Sequence, residues 1–109
     1  MRNLVPTGVD NVVSLGVQPS DTVDHRVLTA NVAESHNVPS GARWVLFRST
    51  GDFYAKVDAT AQLPGGDSPS DISDGSASEL NPSLWFVAGA STISLISDAA
   101  VDINMAFYK

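Results

Sequence analysis

The sequence has no cysteine, only two histidines, and six lysines and arginines in 109 residues. Without cysteine there can be no disulfide, no thiol catalysis and no metal site built on thiolates. Nucleic-acid binding needs Lys and Arg gathered on one face, and attraction to anionic lipid needs the same. No apolar run approaches the roughly 20 residues of a membrane-spanning helix. We therefore predict neither a nucleic-acid partner nor a membrane partner.

The first residues, MRNLVP, lack the apolar core of a signal peptide, so we do not expect Sec secretion. No Gly-rich loop followed by Lys and Ser or Thr occurs either, which argues against a bound nucleotide. We predict no cofactor.

The chain contains enough apolar residues for one folded domain, and more acidic than basic residues. Hydrophobic residues make up 43% of it, and the formal net charge is −6. Most of that charge lies in residues 67–109, which hold six acidic residues against Lys109 alone. Ten of the twelve acids are Asp, which favours turns and caps over helix interiors. The composition thus indicates a β-rich domain spanning residues 1–109.

Apolar residues recur with period two, as in a strand that buries one face. The clearest case is residues 101–107, where Val, Ile, Met and Phe alternate with polar or small residues. We predict hairpins at 43–58, around a turn at 49–52, and at 92–108, around 98–100. The unbroken apolar run 44–47 predicts a central strand covered on both faces. Expected core rows are Trp44/Leu46 or Val45/Phe47, Phe53/Ala55/Val57, Trp85/Val87, Ile93/Leu95, and Val101/Ile103/Met105/Phe107.

The N-terminal third has weaker patterns. Residues 12–17 are β-prone, residues 22–32 form a further strand, and 33–38 could continue it. Six or seven strands about ten residues apart, with turn residues between them, are typical of a β-sandwich. We predict a single antiparallel β-sandwich, jelly-roll-like, with an N-terminal arm at 1–11. One long acidic loop, rich in Gly, Pro and Ser, is expected at 60–83.

The acidic loop is the one candidate for a cation site. Asp67, Asp71, Asp74 and Glu79 could surround calcium, which takes six to eight oxygen ligands. However, the alternating Asp spacing of a calcium loop, with its Gly and terminal Glu, is absent. We predict no metal, and a loop that is solvated or packs on a neighbouring chain.

Catalytic groups are scarce. Ser, His and Asp all occur, but no Gly-x-Ser-x-Gly elbow does. His25 and His36 would face opposite sides if one strand ran through both. Paired carboxylates would need a deep cleft, which a sandwich of this size rarely provides. We predict that the protein is not an enzyme.

Most aromatic residues fall on predicted strands and are expected in the core. Tyr54 and Tyr108 lie on the polar phase of theirs, which predicts that they are exposed. Exposed tyrosine suits either a sugar-binding platform or a protein interface, and the sequence leaves both readings open.

Four stretches give the chain a resemblance to a known group of proteins. They are the opening at 2–7, the turn at 38–43 that leads into 44–47, the strand at 52–57, and the ending from 91–96 to 107–108. In these the chain resembles the small all-β virion proteins of tailed bacteriophages, and the likeness spans most of its length. The resemblance implies a capsid cement or decoration protein on the capsid exterior, made in the host cytoplasm. It implies the major capsid protein as partner and a homo-oligomer, with a trimer favoured.

This interpretation gives interface candidates in the arm, the loop and the two tyrosines. They are Arg2, Leu4, Val5, Pro6, Tyr54, Pro64, Asp67, Asp71, Asp74 and Tyr108. The alternatives are a neck, tail or fibre component of a phage, or a small β-sandwich module that binds carbohydrate or another surface. The carbohydrate alternative predicts Tyr54, Tyr108 or Trp85 in an exposed row or groove.

Overall fold

The computed structural model describes residues 1–5, 17–65 and 70–109, and in that part of the chain it has strands and no helix. The described residues contain eight strands, where the sequence predicted six or seven, and most of the β-prone segment predicted at 12–17 lies outside them. The strands are β1 Thr22–Leu28, β2 Glu34–Asn37, β3 Trp44–Ser49, β4 Tyr54–Val57, β5 Glu79–Leu80, β6 Leu84–Phe86, β7 Thr92–Ile96 and β8 Val101–Tyr108.

The strands form two four-stranded antiparallel sheets packed face to face. Sheet I has the order β1-β8-β3-β6, and sheet II has the order β2-β7-β4-β5. Every connection along the chain crosses between the sheets, except the one from β4 to β5. Eight strands in this order make a jelly roll. The predicted fold class, an antiparallel β-sandwich of jelly-roll type, is confirmed.

Both predicted hairpins are wrong. β3 lies in sheet I and pairs with β8 and β6, whereas β4 lies in sheet II and pairs with β7 and β5. β7 and β8 are likewise in different sheets. The turns at 49–52 and 98–100 were recognised from their residues, but turn residues do not encode whether the next strand pairs with the last or crosses over to the facing sheet.

The core lies between the sheets, and β8 supplies its longest row. Val101, Ile103, Met105 and Phe107 are all buried, as the alternation predicted. In β3 the buried pair is Val45 and Phe47, which decides between the two predicted phases. The other fully buried apolar side chains of the predicted rows are Phe53, Ala55, Val87, Ile93 and Leu95, while Val57 and Trp85 are only half-buried.

β1 and β2 are separate strands in separate sheets, so the predicted continuation of 22–32 into 33–38 is wrong. β1 ends at Leu28, and Asn31 takes a positive φ of 63° in the turn that follows. Asn tolerates this left-handed conformation better than most residues do. The chain therefore turns from the edge of sheet I to the facing edge of sheet II.

The long loop at 60–83 is interrupted by β5, and its first part covers the outer face of sheet II. Ala61 is 1% exposed, and its N–H donates to the hydroxyl of Ser94 on β7 at 2.8 Å. Ser94 and Ile96 point outward from β7 and are nevertheless buried. The covering segment starts at Asp58. The carboxylate of Asp58 fixes it to the start of β7 by accepting the N–H groups of Ser91 and Thr92. The outer face of sheet II is thus closed over β7 by the chain itself.

Candidate functional site

A charged cluster fills the space between the sheets where β1 faces β2. The inward positions of β1 hold Asp24 and Arg26, and those of β2 hold Glu34 and His36. Arg26 contacts Glu34 at 3.3 Å, and His36 stacks on the Phe107 ring, with centroids 6.1 Å apart. The other carboxylate oxygen of Glu34, Oε2, is buried and has no hydrogen-bond partner among the described residues.

Both ring nitrogens of His36 are used inside this cluster. Arg26 Nε–H donates to Nδ1 at 3.3 Å, and Nε2 lies 2.7 Å from Asp24 Oδ2. Because an arginine can only donate, Nδ1 must be the acceptor, and Nε2 carries the proton that it gives to Asp24. Neither nitrogen is left to take a proton from a substrate or to bind a metal. The cluster therefore joins the two sheets, and its histidine has no atom free for chemistry.

His25, the other histidine, points outward from β1 into a shallow depression of about 220 Å³ on sheet I. Its Nε2 is 3.7 Å from Asp102 Oδ2, too far for a hydrogen bond. The nearby hydroxyls are engaged elsewhere, since Thr50 accepts the Asp102 N–H and Ser49 donates to the Gly51 carbonyl. The depression thus lacks the linked nucleophile, base and orienting acid that acyl transfer requires.

Next to this depression, the outer face of sheet I carries two adjacent rows of apolar side chains. The strand register aligns Val23, Ala106, Leu46 and Leu84 across all four strands. The neighbouring row aligns Trp44 with Phe86. We call these six residues the apolar patch. Phe86 is 55% exposed, and Val23 and Leu84 are exposed as well.

The aromatic pair at one side of the patch has an edge-to-face geometry. The Trp44 and Phe86 rings are 4.8 Å apart at 70°, and the Arg43 guanidinium lies 5.7 Å from the centroid of the Phe86 ring. Two rings at this angle do not form the flat platform that stacking on a sugar ring would use. They form a raised apolar ridge beside a positive charge.

Sequence reasoning missed the apolar patch, although its signal was present. Residues 44–47 and 84–86 are apolar on both strand phases, so one phase must point away from the core. We expected chain to cover that phase. β3 is indeed a central strand, but Trp44 and Leu46 on its outward phase are only half-buried.

The acidic segment, residues 70–79, lies on the opposite side of the molecule. Its Ser76 carbonyl accepts the ammonium of Lys56 on the outer face of sheet II at 2.9 Å, and its Ser78 hydroxyl accepts the Gln62 N–H. Hydrogen bonds from the Ser76 hydroxyl and the Ser76 N–H lower the pKa of Asp74. The segment therefore stands on the surface with its Asp74 carboxylate charged.

The acidic side chains of this segment do not converge on a cation. Asp74 is bound to Ser76, and Glu79 accepts the indole N–H of Trp85. Within residues 1–5, 17–65 and 70–109, no three His, Asp or Glu side chains are placed to share a metal ion.

The structure spreads the predicted interface residues over several surfaces. Arg2, Val5, Asp71 and Asp74 are exposed, Leu4, Tyr54 and Pro64 are half-buried, and Pro6 and Asp67 lie outside the described residues. The part of the arm at 6–11 lies outside them too. Residues 1–5 run beside the end of β8, where the backbone carbonyl of Arg2 accepts the Lys109 N–H at 2.9 Å.

The prediction that Tyr108 is exposed is wrong, because this side chain is 2% exposed. It does lie on the outward phase of β8, but its hydroxyl donates to the Gln18 carbonyl at 2.7 Å. The chain before β1 packs over it. A side chain at the end of a strand can be covered by segments whose position the strand pattern does not encode.

The aromatic row expected of a carbohydrate module is also absent from the described part of the chain. Tyr54 is on the outer side of sheet II, Tyr108 is buried at the end of sheet I, and Trp85 faces inward against Phe47. These three residues belong to three different surroundings and form no common groove.

Comparisons with protein-family models, with curated proteins and with solved structures found nothing that matches this chain. None of the described residues forms a helix that could span a membrane.

Proposed function

We propose that the protein is a structural virion protein of a bacteriophage, a capsid cement or decoration protein that bridges neighbouring major capsid proteins. The observation that carries the proposal is that the chain has two different surfaces on opposite sides, an exposed apolar patch and an acidic segment. The apolar patch lies outside sheet I, and the acidic segment lies outside sheet II. A bridging protein needs at least two such surfaces, since it must hold two neighbours at once.

The two surfaces differ in the contacts that they can make. An exposed apolar patch rimmed by polar residues is typical of a protein–protein contact. The acidic segment instead suits a neighbour with basic side chains, because opposite charges steer association and fix its register. Asp71 and Asp74 are the charges that we assign to this contact.

Bridging would stabilise a capsid mechanically. Separating two capsid proteins would also break their contacts with the bridge, so the assembled shell gains the binding free energy of every bridge bound to it. The partner in this proposal is the major capsid protein, and the location is the capsid exterior.

The fold is compatible with this role, because jelly rolls are common in capsid proteins. Lectins share the fold, so it does not decide the function by itself. The engagement of both His36 nitrogens and the unlinked groups around His25 favour a structural role over an enzyme.

The decisive measurement is the copy number of the protein in purified phage particles, by quantitative mass spectrometry against the most abundant particle protein. Hundreds of copies in a simple ratio to the shell protein would support capsid cement. A few dozen copies or fewer would overturn the cement role in favour of the neck, tail or fibres. Absence from particles would discard the virion proposal and leave the carbohydrate alternative to be tested by sugar quenching of tryptophan fluorescence.

A deletion of residues 64–76 tests the acidic side directly. It removes Asp71 and Asp74 and leaves the eight strands intact. We expect a folded domain that no longer joins particles. The control is a variant with Asp71→Asn and Asp74→Asn, which keeps the segment and its acceptor oxygens but removes the two charges, and it should join particles less than the wild type. Incorporation of the deletion variant at the wild-type level would contradict the role of this segment.

A further inference from the structure

The apolar patch places apolar side chains of different sizes side by side across the four strands of sheet I. Its central row runs Val23, Ala106, Leu46, Leu84 from one edge of sheet I to the other. The two central positions differ in size, since Ala106 is smaller than the neighbouring Leu46.

We propose that the outer face of sheet I packs against the same face of a second copy. The two-fold axis lies in the interface, parallel to the strands, between β3 and β8. This contact goes beyond the proposed function by making the neighbour at the apolar patch a second copy. The acidic segments on the two outer sides of the dimer then remain to hold capsid proteins. The contact would exist for the isolated protein whether or not the protein is found in particles.

Within the central row, the axis places a larger side chain on a smaller one. It exchanges β8 with the β3 of the partner, and β1 with its β6, so Leu46 meets the partner's Ala106 and Leu84 meets the partner's Val23. Each contact occurs twice, as in every two-fold interface. Two aligned sheets cross at about 30°, which such an axis allows.

The charges complement each other under the same operation. Arg48 lies in the next row beyond the patch, level with Asn104, and Asp102 lies on the same outward phase of β8, two residues from Asn104. Exchange of β3 with β8 therefore brings Arg48 of one copy close to the partner's Asp102. A long arginine side chain spans such a diagonal. The interface would gain two ion pairs and bring no like charges together at these positions.

The area of the face predicts a weak contact. The four strands of sheet I have 7, 8, 6 and 3 residues, so their face is about 390 Å² in projection. Counted on both copies, this is about 800 Å², below the range of stable interfaces and in that of weak, transient ones. We therefore expect a weak dimer that is clearly populated only at concentrations of about 100 μM and above.

Sedimentation-velocity and light-scattering measurements on the full chain over a concentration series test for the dimer. The expected result is a monomer–dimer equilibrium. A monomer at every concentration up to about 1 mM would overturn the proposal and would leave the patch for a different chain. A trimer, the state that the resemblance favours, would overturn the two-fold geometry.

Substitutions of matched exposed leucines locate the contact. Leu84→Asp places a charge in the patch, whereas Leu80→Asp makes the same change on β5 of sheet II; the two leucines are 40% and 50% exposed. We expect Leu84→Asp to raise the dissociation constant at least tenfold and Leu80→Asp to leave it unchanged. The reverse result would assign the contact to sheet II and overturn the proposal.

Mixing two charge variants tests the symmetry itself. Arg48→Asp alone and Asp102→Arg alone each put like charges together twice across the axis, so each variant should be monomeric. A mixture of the two should dimerise, because every pair across the axis is then opposite in sign. This recovery also shows that both variants fold. Two single variants that stay monomeric when mixed would overturn the assignment of the axis.

Discussion

The two outer faces of the sandwich are covered in different ways. Over sheet II the chain folds back and binds β7 through the Ala61–Ser94 hydrogen bond, and the outward residues Ser94 and Ile96 are buried. Over sheet I the apolar patch is left largely open, with Phe86 and Leu84 exposed. A sheet face that one chain closes by itself contributes to folding, whereas a face left open and apolar is available for assembly.

Among the substitutions that test this contrast, Ala61→Asp is expected to have the largest effect on stability. A carboxylate at this buried position either loses its hydration or displaces the covering segment from sheet II, and we expect a loss of about 3 kcal/mol or more in the free energy of unfolding. Urea denaturation measures it. The matched control is Ala59→Asp at an exposed position of the same segment, with an expected change within about 0.5 kcal/mol. Equal stabilities for the two variants would show that the segment is not packed on sheet II in solution.

Ser94→Ala should have the next largest effect. It removes the hydroxyl that accepts the buried Ala61 N–H, and an unsatisfied buried donor costs about 1–3 kcal/mol. Ser35 pairs with Ser94 in the neighbouring strand but is exposed, so Ser35→Ala is the control. Faster hydrogen exchange of the Ala61 amide in Ser94→Ala should accompany the loss of stability. Unchanged exchange would mean that another group accepts this proton.

Asp58→Asn should have a smaller effect, and that effect should depend on pH. Hydrogen bonds from the Thr92 and Ser91 N–H groups lower the pKa of Asp58 below its ordinary value of 3.8. A lowered folded-state pKa adds stability above pH 3.8, and that stability is lost as the pH falls through the folded value. Asn keeps an acceptor oxygen and tolerates the positive φ of 53° at this position.

Thermal unfolding of wild type and Asp58→Asn between pH 2 and pH 7 checks this expectation. The wild type should have the higher Tm at pH 6, and the difference should shrink below about pH 4. A difference that stays constant down to pH 2 would mean that the charge of Asp58 does not strengthen these hydrogen bonds.

The smallest effect on folding is expected on the open face. Leu84→Asp in dilute solution should change the free energy of unfolding by at most about 1 kcal/mol, because the side chain is exposed before and after the change. Urea denaturation below the concentration of dimer formation measures it. A loss as large as that of Ala61→Asp would show that the patch is part of the core, and the contrast between the two faces would fail.

The fold class followed from the sequence because its strongest patterns belong to strands with one buried face. In β8, residues 101–107 alternate without exception, and the buried row is the predicted one. The pairing of β3 and β7 did not follow, since strand alternation fixes which side chains face inward and leaves the choice of neighbouring strand to long-range packing. Both predicted hairpins failed for this reason.

The candidate site was less accessible to sequence reasoning. The inward phase of β1 carries Thr22, Asp24 and Arg26, which in isolation resembles the exposed face of an edge strand. These side chains form a charged cluster only because β2 faces β1 and brings His36 and Glu34 into contact with them. The apolar patch depends likewise on the register of four strands, and two of them, β1 and β8, lie far apart in the sequence.

The charged cluster between β1 and β2 also constrains how this protein can change in evolution. Losing Arg26 alone would leave Glu34 in a partly buried space without its cation, whereas an apolar replacement of the whole set could pack against Phe107. Single substitutions in the cluster are therefore destabilising, whereas simultaneous replacement of all four residues can keep the protein stable. Positions 24, 26, 34 and 36 should vary together among descendants of this chain, because their side chains contact one another between the two sheets.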